Sequence, residues 1–158
     1  MIFVTVGTQL PFDRLVRAVD SWLLVRPGER GFAQVGKSEL RPLALTARPS
    51  LSPREYEAMC RASDLIVAHA GIGSLLSAIR HRKRLIVMAR SAAHGEHRND
   101  HQRATAERIR ASGWAAVAED EFDLRRWLDA RDSIPVATGS GSDRLSSLVH
   151  ELRSWIHA

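Results

Sequence analysis

The run LIVAHAGIGSLLSAI, from Leu65 to Ile79, carries the clearest structural signal in the 158-residue chain. Its first four residues are apolar and include two β-branched side chains, which is typical of a buried strand. Two glycines follow within HAGIGS, and the apolar stretch after them is typical of a helix. A strand, a glycine-containing turn and a helix in this order predict one unit of an α/β fold.

The same alternation extends in both directions from this run. Strands are predicted at Ile2–Val6, Phe32–Val35, Leu43–Ala47, Leu65–Ala68, Leu85–Met88 and Trp114–Val117. Helices are predicted from Phe12 to a stop at Pro27-Gly28, at Pro53–Ala62, up to about Ile79, at Asp100–Ser112, at Glu121–Ala130, and as an amphipathic C-terminal helix over 142–158. The alternation predicts a doubly wound, Rossmann-like parallel sheet covered by helices on both faces.

Length and composition limit the class of protein. A chain of 158 residues predicts one domain, and the single Cys60 excludes an internal disulfide framework. The net charge of +5 implies anionic partners such as phosphates, nucleic acid or an acidic membrane face. Neither a signal peptide nor a membrane-spanning run of about 20 apolar residues is visible, so we expect a cytoplasmic protein.

Ligands of such sheets bind beyond the carboxyl ends of the strands. That rule selects four places in the chain: Gly7-Thr8-Gln9, Gly36-Lys37, His69 to Ser74, and Arg90 to Gln102. Glycines, hydroxyls, histidines and charged side chains gather at these strand ends, so we expect one rim of the sheet to carry the chemistry.

The HAGIGS turn favours a diphosphate. Its glycines let backbone approach a ligand closely, and the N–H groups at the start of the following helix favour an anion. Ser74 adds a hydroxyl donor. The dinucleotide fingerprint requires a glycine where Leu76 stands, which disfavours NAD. A tight turn without any ligand remains the alternative.

A second phosphate-binding pattern is interpreted as accidental. GFAQVGKS, Gly31 to Ser38, matches G-x-x-x-x-G-K-[ST], but a P-loop needs a strand before the motif and a helix from the lysine. Here the predicted strand lies inside the motif, and Pro42 follows too soon for a long helix.

Two charged clusters could suggest a metal site and a nucleic-acid site, but neither is favoured. The first could suggest metal ligands and consists of His94, Glu96, His97, Asp100 and His101. Nearby arginines oppose a cation and the set matches no zinc pattern, so no metal is expected. The second is the basic run Arg80–Arg84. With 6% aromatic residues in the chain, stacking platforms are scarce, so a solvated turn or a membrane-facing patch is favoured over nucleic-acid binding.

The chain resembles the C-terminal, donor-binding domain of glycosyltransferase family 28 over roughly Met1 to Trp114. The resemblance rests on FVTVGTQLPFDRLVRAV, FAQVGKSELRP, ASDLIVAHAGIGSLLSAI, RLIVMAR and GEHRNDHQRATA. Within this family, the chain is similar above all to single-domain members that form half of a split enzyme. These include the GlcNAc transferase subunit that acts on dolichol-diphosphate-GlcNAc, and the bacterial exopolysaccharide glucuronosyl- and galactosyltransferases.

The resemblance implies one half of a GT-B architecture that binds a UDP-sugar. Gly7, Thr8 and Gln9 would border the phosphates, and the diphosphate would be held by His69, Ala70, Gly71, Gly73 and Ser74. The donor sugar or ribose would face Asp100, His101 and Gln102, with Arg90, Glu96 and Asn99 nearby. Arg90 or an arginine of Gly95–Arg98 is a candidate partner for a uronic carboxylate. One departure is Ser77, where many relatives have a glutamate for the ribose.

The implied reaction is an inverting displacement with UDP as the leaving group and without any metal or cofactor. The general base would belong to a membrane-anchored acceptor-binding subunit, with His69 as a weak alternative. A lipid-linked glycan would be the acceptor, at the inner face of the membrane. The C-terminal helix either docks on that subunit or packs on its own sheet. A non-catalytic scaffold subunit and a UDP-sugar epimerase remain the other functional classes.

Overall fold

A six-stranded parallel sheet lies at the centre of the molecule. The computed structural model describes residues 1–96 and 101–138, together with position 150. The strand order is β3-β2-β1-β4-β5-β6, and each neighbouring pair is parallel. The strands are β1 (Ile2–Thr5), β2 (Gly31–Gln34), β3 (Leu45–Arg48), β4 (Leu65–His69), β5 (Arg84–Met88) and β6 (Ala116–Ala118). The predicted fold class is confirmed.

Five α-helices lie between or after these strands within the described ranges. They are α1 (Asp13–Leu24), α2 (Pro53–Ala62), α3 (Ile72–His81), α4 (His101–Ser112) and α5 (Glu121–Asp129). None of them is long and apolar enough to span a membrane. The predicted C-terminal helix over 142–158 lies outside the described residues except for position 150.

Both faces of the sheet are covered because successive strand residues point in opposite directions. In β1, Ile2 and Val4 pack with α1 and α5, whereas Phe3 packs with α2, α3 and α4. Two apolar cores result, one on each face. The apolar runs of the central strands follow from this burial, since no face of those strands contacts water.

Strand β3 starts two residues later than the predicted Leu43. The side chain of Asp20 on α1 accepts hydrogen bonds from the backbone N–H groups of Leu43, Ala44 and Leu45 at 2.8–3.0 Å. These contacts use the first N–H groups of the segment, so pairing with β2 begins only at Leu45. A single buried carboxylate thus ties α1 to the amino end of β3.

Helix α2 starts at the predicted capping box. The Ser52 hydroxyl accepts from the Glu55 N–H at 3.3 Å, and the Glu55 carboxylate accepts from the Ser52 N–H at 2.8 Å. Pro53 occupies the first helical position. Hydrogen bonds from Ser52, then from Arg48, lower the pKa of Glu55 to about 2.

The pH dependence of stability should reveal this cap. The pKa of Glu55 is lower in the folded chain than its ordinary 4.5, so its contribution is complete above pH 4.5 and is lost as pH falls toward 2. We expect Glu55→Gln to lower the urea midpoint at pH 7 and to converge with wild type as the pH approaches 2. Exposed Glu39, changed to Gln, serves as the control. A Glu55→Gln deficit that does not vary with pH would contradict the carboxylate cap.

Candidate functional site

A cleft of about 390 Å³ opens at the carboxyl ends of β1, β2 and β4. From β1 the chain winds outward through β2 and β3, then returns to place β4 on the other side of β1. The cleft therefore lies at the point where the winding direction reverses, which is where α/β sheets bind ligands. Its lining residues are Thr5, Gly7, Thr8, Gln34, Ser50, Leu51, Pro53, Tyr56, Glu57, His69, Gly73 and Ser74.

The imidazole of His69 packs between two glycine backbones. A Cβ on Gly7 would lie 2.9 Å from the His69 Cε1 atom, and a Cβ on Gly71 would lie 2.5 Å from its Nε2 atom. Gly7 also has φ +72°, a conformation that favours glycine. The two predicted phosphate turns, after β1 and after β4, are therefore brought into contact across one ring.

The start of α3 faces this cleft. Gly71 is its N-cap residue and provides no side-chain cap. The N–H groups of the first helical turn have no partner within the helix, so they favour an anion. A Cβ on Gly73 would meet no atom within 4 Å, whereas Ser74 beside it is buried. There is room for a ligand directly at the helix N-terminus.

The opposite wall is formed by α2 and the loop before it, and it is largely apolar. Leu51, Pro53 and Tyr56 line it, and the Tyr56 ring packs edge-on against Phe3 with centroids 5.4 Å apart. Burial raises the pKa of Tyr56, and the nearby Ser77 hydroxyl acts in the opposite direction. Ser77, the residue at which the chain departs from the resemblance, therefore lies near this tyrosine.

Gln34, the last residue of β2, was missed by the sequence analysis. It is 5% exposed, and its amide nitrogen donates to the carbonyls of Gly7 at 2.9 Å and Pro49 at 3.0 Å. The Thr5 hydroxyl donates to its amide oxygen at 2.9 Å. A polar residue at the end of a buried strand, at the ligand edge of the sheet, was the available signal.

Gln9 and Ala70 lie beside the cleft without lining it. Gln9 is exposed on the loop between β1 and α1. Ala70 is 2% exposed, and its N–H donates to the Met88 carbonyl at 3.0 Å. Of the predicted phosphate-binding residues, the structure brings together Gly7, Thr8, His69, Gly71, Gly73 and Ser74.

Arg90, predicted to contact the donor, is held within the fold by backbone carbonyls. Its side chain is among the largest fully buried ones, and it donates to the carbonyls of Val6 at 2.5 Å, Pro11 at 3.1 Å and Glu96 at 3.0 Å. The guanidinium also lies over the Phe12 ring, 5.2 Å from its centroid. Arg90 thereby joins the loop after β1 to the loop after β5, and burial lowers its pKa.

Glu96, like Arg90, forms its hydrogen bonds with other residues of the chain. Its carboxylate accepts two hydrogen bonds from the Arg14 guanidinium, both at 2.9 Å, and one from the Ser91 N–H at 2.9 Å. The bond to Glu96 is the main reason for the raised pKa of Arg14. Gln102 accepts from the Arg90 N–H at 3.1 Å. These contacts border a second cavity of about 320 Å³ between the ends of β5 and β6.

Several predicted residues have no described position. Asn99, Asp100 and the residues 97 and 98 lie outside the described residues, as does the side chain of His101. The P-loop interpretation is excluded by geometry. Gly31–Gln34 forms β2 inside the motif, and the described residues from Lys37 to β3 contain no helix.

Two glycine substitutions test the packing of the site. Gly71→Ala should destabilise the fold by about 1–3 kcal/mol, since its Cβ collides with the His69 ring. Gly73→Ala enters open space in a helix and should be neutral or stabilising by up to about 1 kcal/mol. Urea unfolding of both variants measures the difference. Equal stability of the two variants would contradict the close packing of His69 against Gly71.

Comparison with known proteins agrees with the fold described above. Residues 1–124 match the model of the glycosyltransferase family 28 C-terminal domain. No curated protein sequence is significantly similar to the chain.

Solved structures share the fold at low sequence identity. An NMR structure of ALG13 is 22% identical with a TM-score of 0.66, and the alignment covers 99% of this chain and 96% of ALG13. The glycotransferase of kitacinnamycin is 19% identical with a TM-score of 0.63, over 97% of this chain. UDP-glucose:anthocyanidin 3-O-glucosyltransferase in complex with UDP is 14% identical with a TM-score of 0.59, over 99% of this chain. The chain spans only 39% and 35% of the latter two proteins.

Proposed function

The chain belongs to the glycosyltransferase family 28 C-terminal domain family, and we propose that it binds a UDP-sugar in the cleft between β1 and β4. The observation that carries this proposal is the uncapped start of α3, with open space at Gly73, at the switch point of the sheet. A nucleoside diphosphate needs an anion site beside an apolar one, and this cleft offers both. The UDP complex of a glucosyltransferase with the same fold supports the choice of nucleotide.

Each wall of the cleft has a proposed task. The N–H groups at the start of α3, with the Ser74 hydroxyl and the turn at Gly7 and Thr8, bind the diphosphate. The wall containing Leu51 and Tyr56 receives the nucleoside. Asn99, Asp100, His101 and Gln102 remain candidates for the donor sugar on the resemblance alone.

The proposed reaction is an inverting displacement at the anomeric carbon. The bond to the UDP oxygen breaks as the acceptor hydroxyl attacks from the opposite face, and the helix N-terminus stabilises the charge that develops on the leaving diphosphate. We assign the general base to the acceptor-binding partner. The His69 ring packs closely against Gly7 and Gly71, which suits it to shaping the two turns.

The proposed context is exopolysaccharide or capsule synthesis with a lipid-linked glycan acceptor. The resemblance to single-domain members of split enzymes supports a partner, and the chain aligns with 96% of the length of ALG13. A membrane-anchored partner would bring this basic chain to the inner face of the membrane.

Calorimetric titration with UDP tests the donor site. Wild type should bind UDP, and Gly73→Asp should raise the Kd about tenfold or more, because a carboxylate at the helix N-terminus repels the diphosphate. The fold should tolerate the change, since the site is open and an acidic residue suits a helix N-terminus.

The matched control is Gly28→Asp. A Cβ at Gly28 also meets nothing within 4 Å, and the charge change is identical, but this residue lies in the turn between α1 and β2, away from the cleft. Its Kd for UDP should equal that of wild type. No binding by wild type, or equal loss in both variants, would refute the donor site.

Partner dependence has its own assay. The purified chain, a panel of radiolabelled UDP-sugars and host membranes are combined, and label in the lipid fraction is measured. We expect label only when both chain and membranes are present, because the acceptor half is supplied by the membrane. Membranes from a strain lacking the gene for this chain provide the background. Transfer to a lipid acceptor by the isolated chain would refute a split enzyme, and conversion of UDP-GlcNAc without an acceptor would indicate an epimerase.

A further inference from the structure

A single buried amide joins two walls of the cleft. Gln34 donates one N–H to the Gly7 carbonyl in the turn after β1, and the other to the Pro49 carbonyl in the loop after β3. We propose that Gln34 is a positioning residue. It sets the distance between the turn that binds the diphosphate and the loop that binds the nucleoside. This inference rests on the proposed function and adds a determinant of nucleotide affinity to it.

The geometry of the amide suits this task. A glutamine NH₂ group has two donors, and each is used by a different wall. The amide oxygen accepts from the Thr5 hydroxyl, which fixes the orientation of the group. With Gln34 only 5% exposed, water cannot readily replace these bonds. A carboxylate at this position would place an acceptor against both carbonyls.

If the Gln34 amide were removed, the loop after β3 and the turn after β1 would keep different contacts. The Pro49 carbonyl also accepts from the Gly36 N–H at 2.9 Å, so the β3 loop keeps one bond to the segment after β2. The Gly7 turn touches the same segment, because a Cβ on Gly36 would lie 3.3 Å from the Gly7 oxygen. Loss of the amide should therefore shift the Gly7 turn relative to the β3 loop and change the distance between the walls.

A spacing role has a signature that a stabilising role lacks. Uridine contacts only the nucleoside wall, and pyrophosphate contacts only the diphosphate wall. The affinity of each probe therefore does not depend on the distance between the two walls. UDP must contact both walls at once, and its affinity depends on their being correctly spaced in advance. We expect Gln34→Met and Gln34→Leu, which remove the amide without adding a charge, to raise the Kd for UDP about tenfold or more. The Kd values for uridine and pyrophosphate should change less than about threefold.

The experiment is calorimetry or ligand-observed NMR with these three probes on the full chain. Asp20→Asn is the control for stability, because it weakens the buried tie between α1 and β3 at the opposite edge of the sheet. It should lower Tm and leave the Kd for UDP unchanged. A second pair of variants, Thr5→Val and Thr5→Ser, keeps the Gln34 amide and changes only the side chain that orients it. Thr5→Val should weaken UDP binding, and Thr5→Ser, which keeps the hydroxyl, should not.

The outcomes separate the two proposals. If wild type does not bind UDP, the donor site itself fails. If wild type binds and the Gln34 variants bind UDP equally well, the positioning role is refuted while the donor site stands. Parallel losses for UDP, uridine and pyrophosphate would reduce Gln34 to a stabilising residue, and would also overturn the spacing role.

Discussion

The pairing of β1 with both β2 and β4 is the constraint on which the site depends. It forces the chain to wind outward in two directions from one strand, so that the connections after β1 and β4 diverge and leave a crevice. Because the sheet is parallel, the N-terminus of α3 and the turn at Gly7 meet at the same edge. The His69 ring then fits between Gly7 and Gly71. Neither turn has the shape of a ligand site alone.

Much of this arrangement was predictable from local sequence. Alternating apolar runs and glycine stops predicted all six strands, and Ser52-Pro53-Arg54-Glu55 predicted the start of α2 through contacts that span only three residues. HAGIGS predicted the turn between β4 and α3 because a strand, two glycines and a helix determine backbone geometry within ten residues. Strand ends were less predictable. Leu43 could join a strand by propensity, but Asp20, 23 residues earlier, takes its N–H.

The roles of polar side chains at the rim were harder to predict. Arg90 and Glu96 stand in a loop at the ligand edge, so their sequence position indicates donor contact. Their partners are Val6, 84 residues away, and Arg14, 82 residues away. Whether a charged group faces the ligand or a neighbouring loop depends on how those loops pack, which no local pattern contains. Gln34 was missed for the same reason, since its meaning comes from the carbonyls of Gly7 and Pro49.

Arg90 and Gln34 hold their loops through backbone carbonyls, and this has an evolutionary consequence. Carbonyl oxygens are the same in every residue, so loops supported in this way keep their path when their side chains change. Side chains such as Thr8, Ser50 and Leu51 can therefore be exchanged by mutation without dismantling the cleft. New ligand preferences of the cleft could then arise one substitution at a time, while Arg90 and Gln34 keep the loops in place.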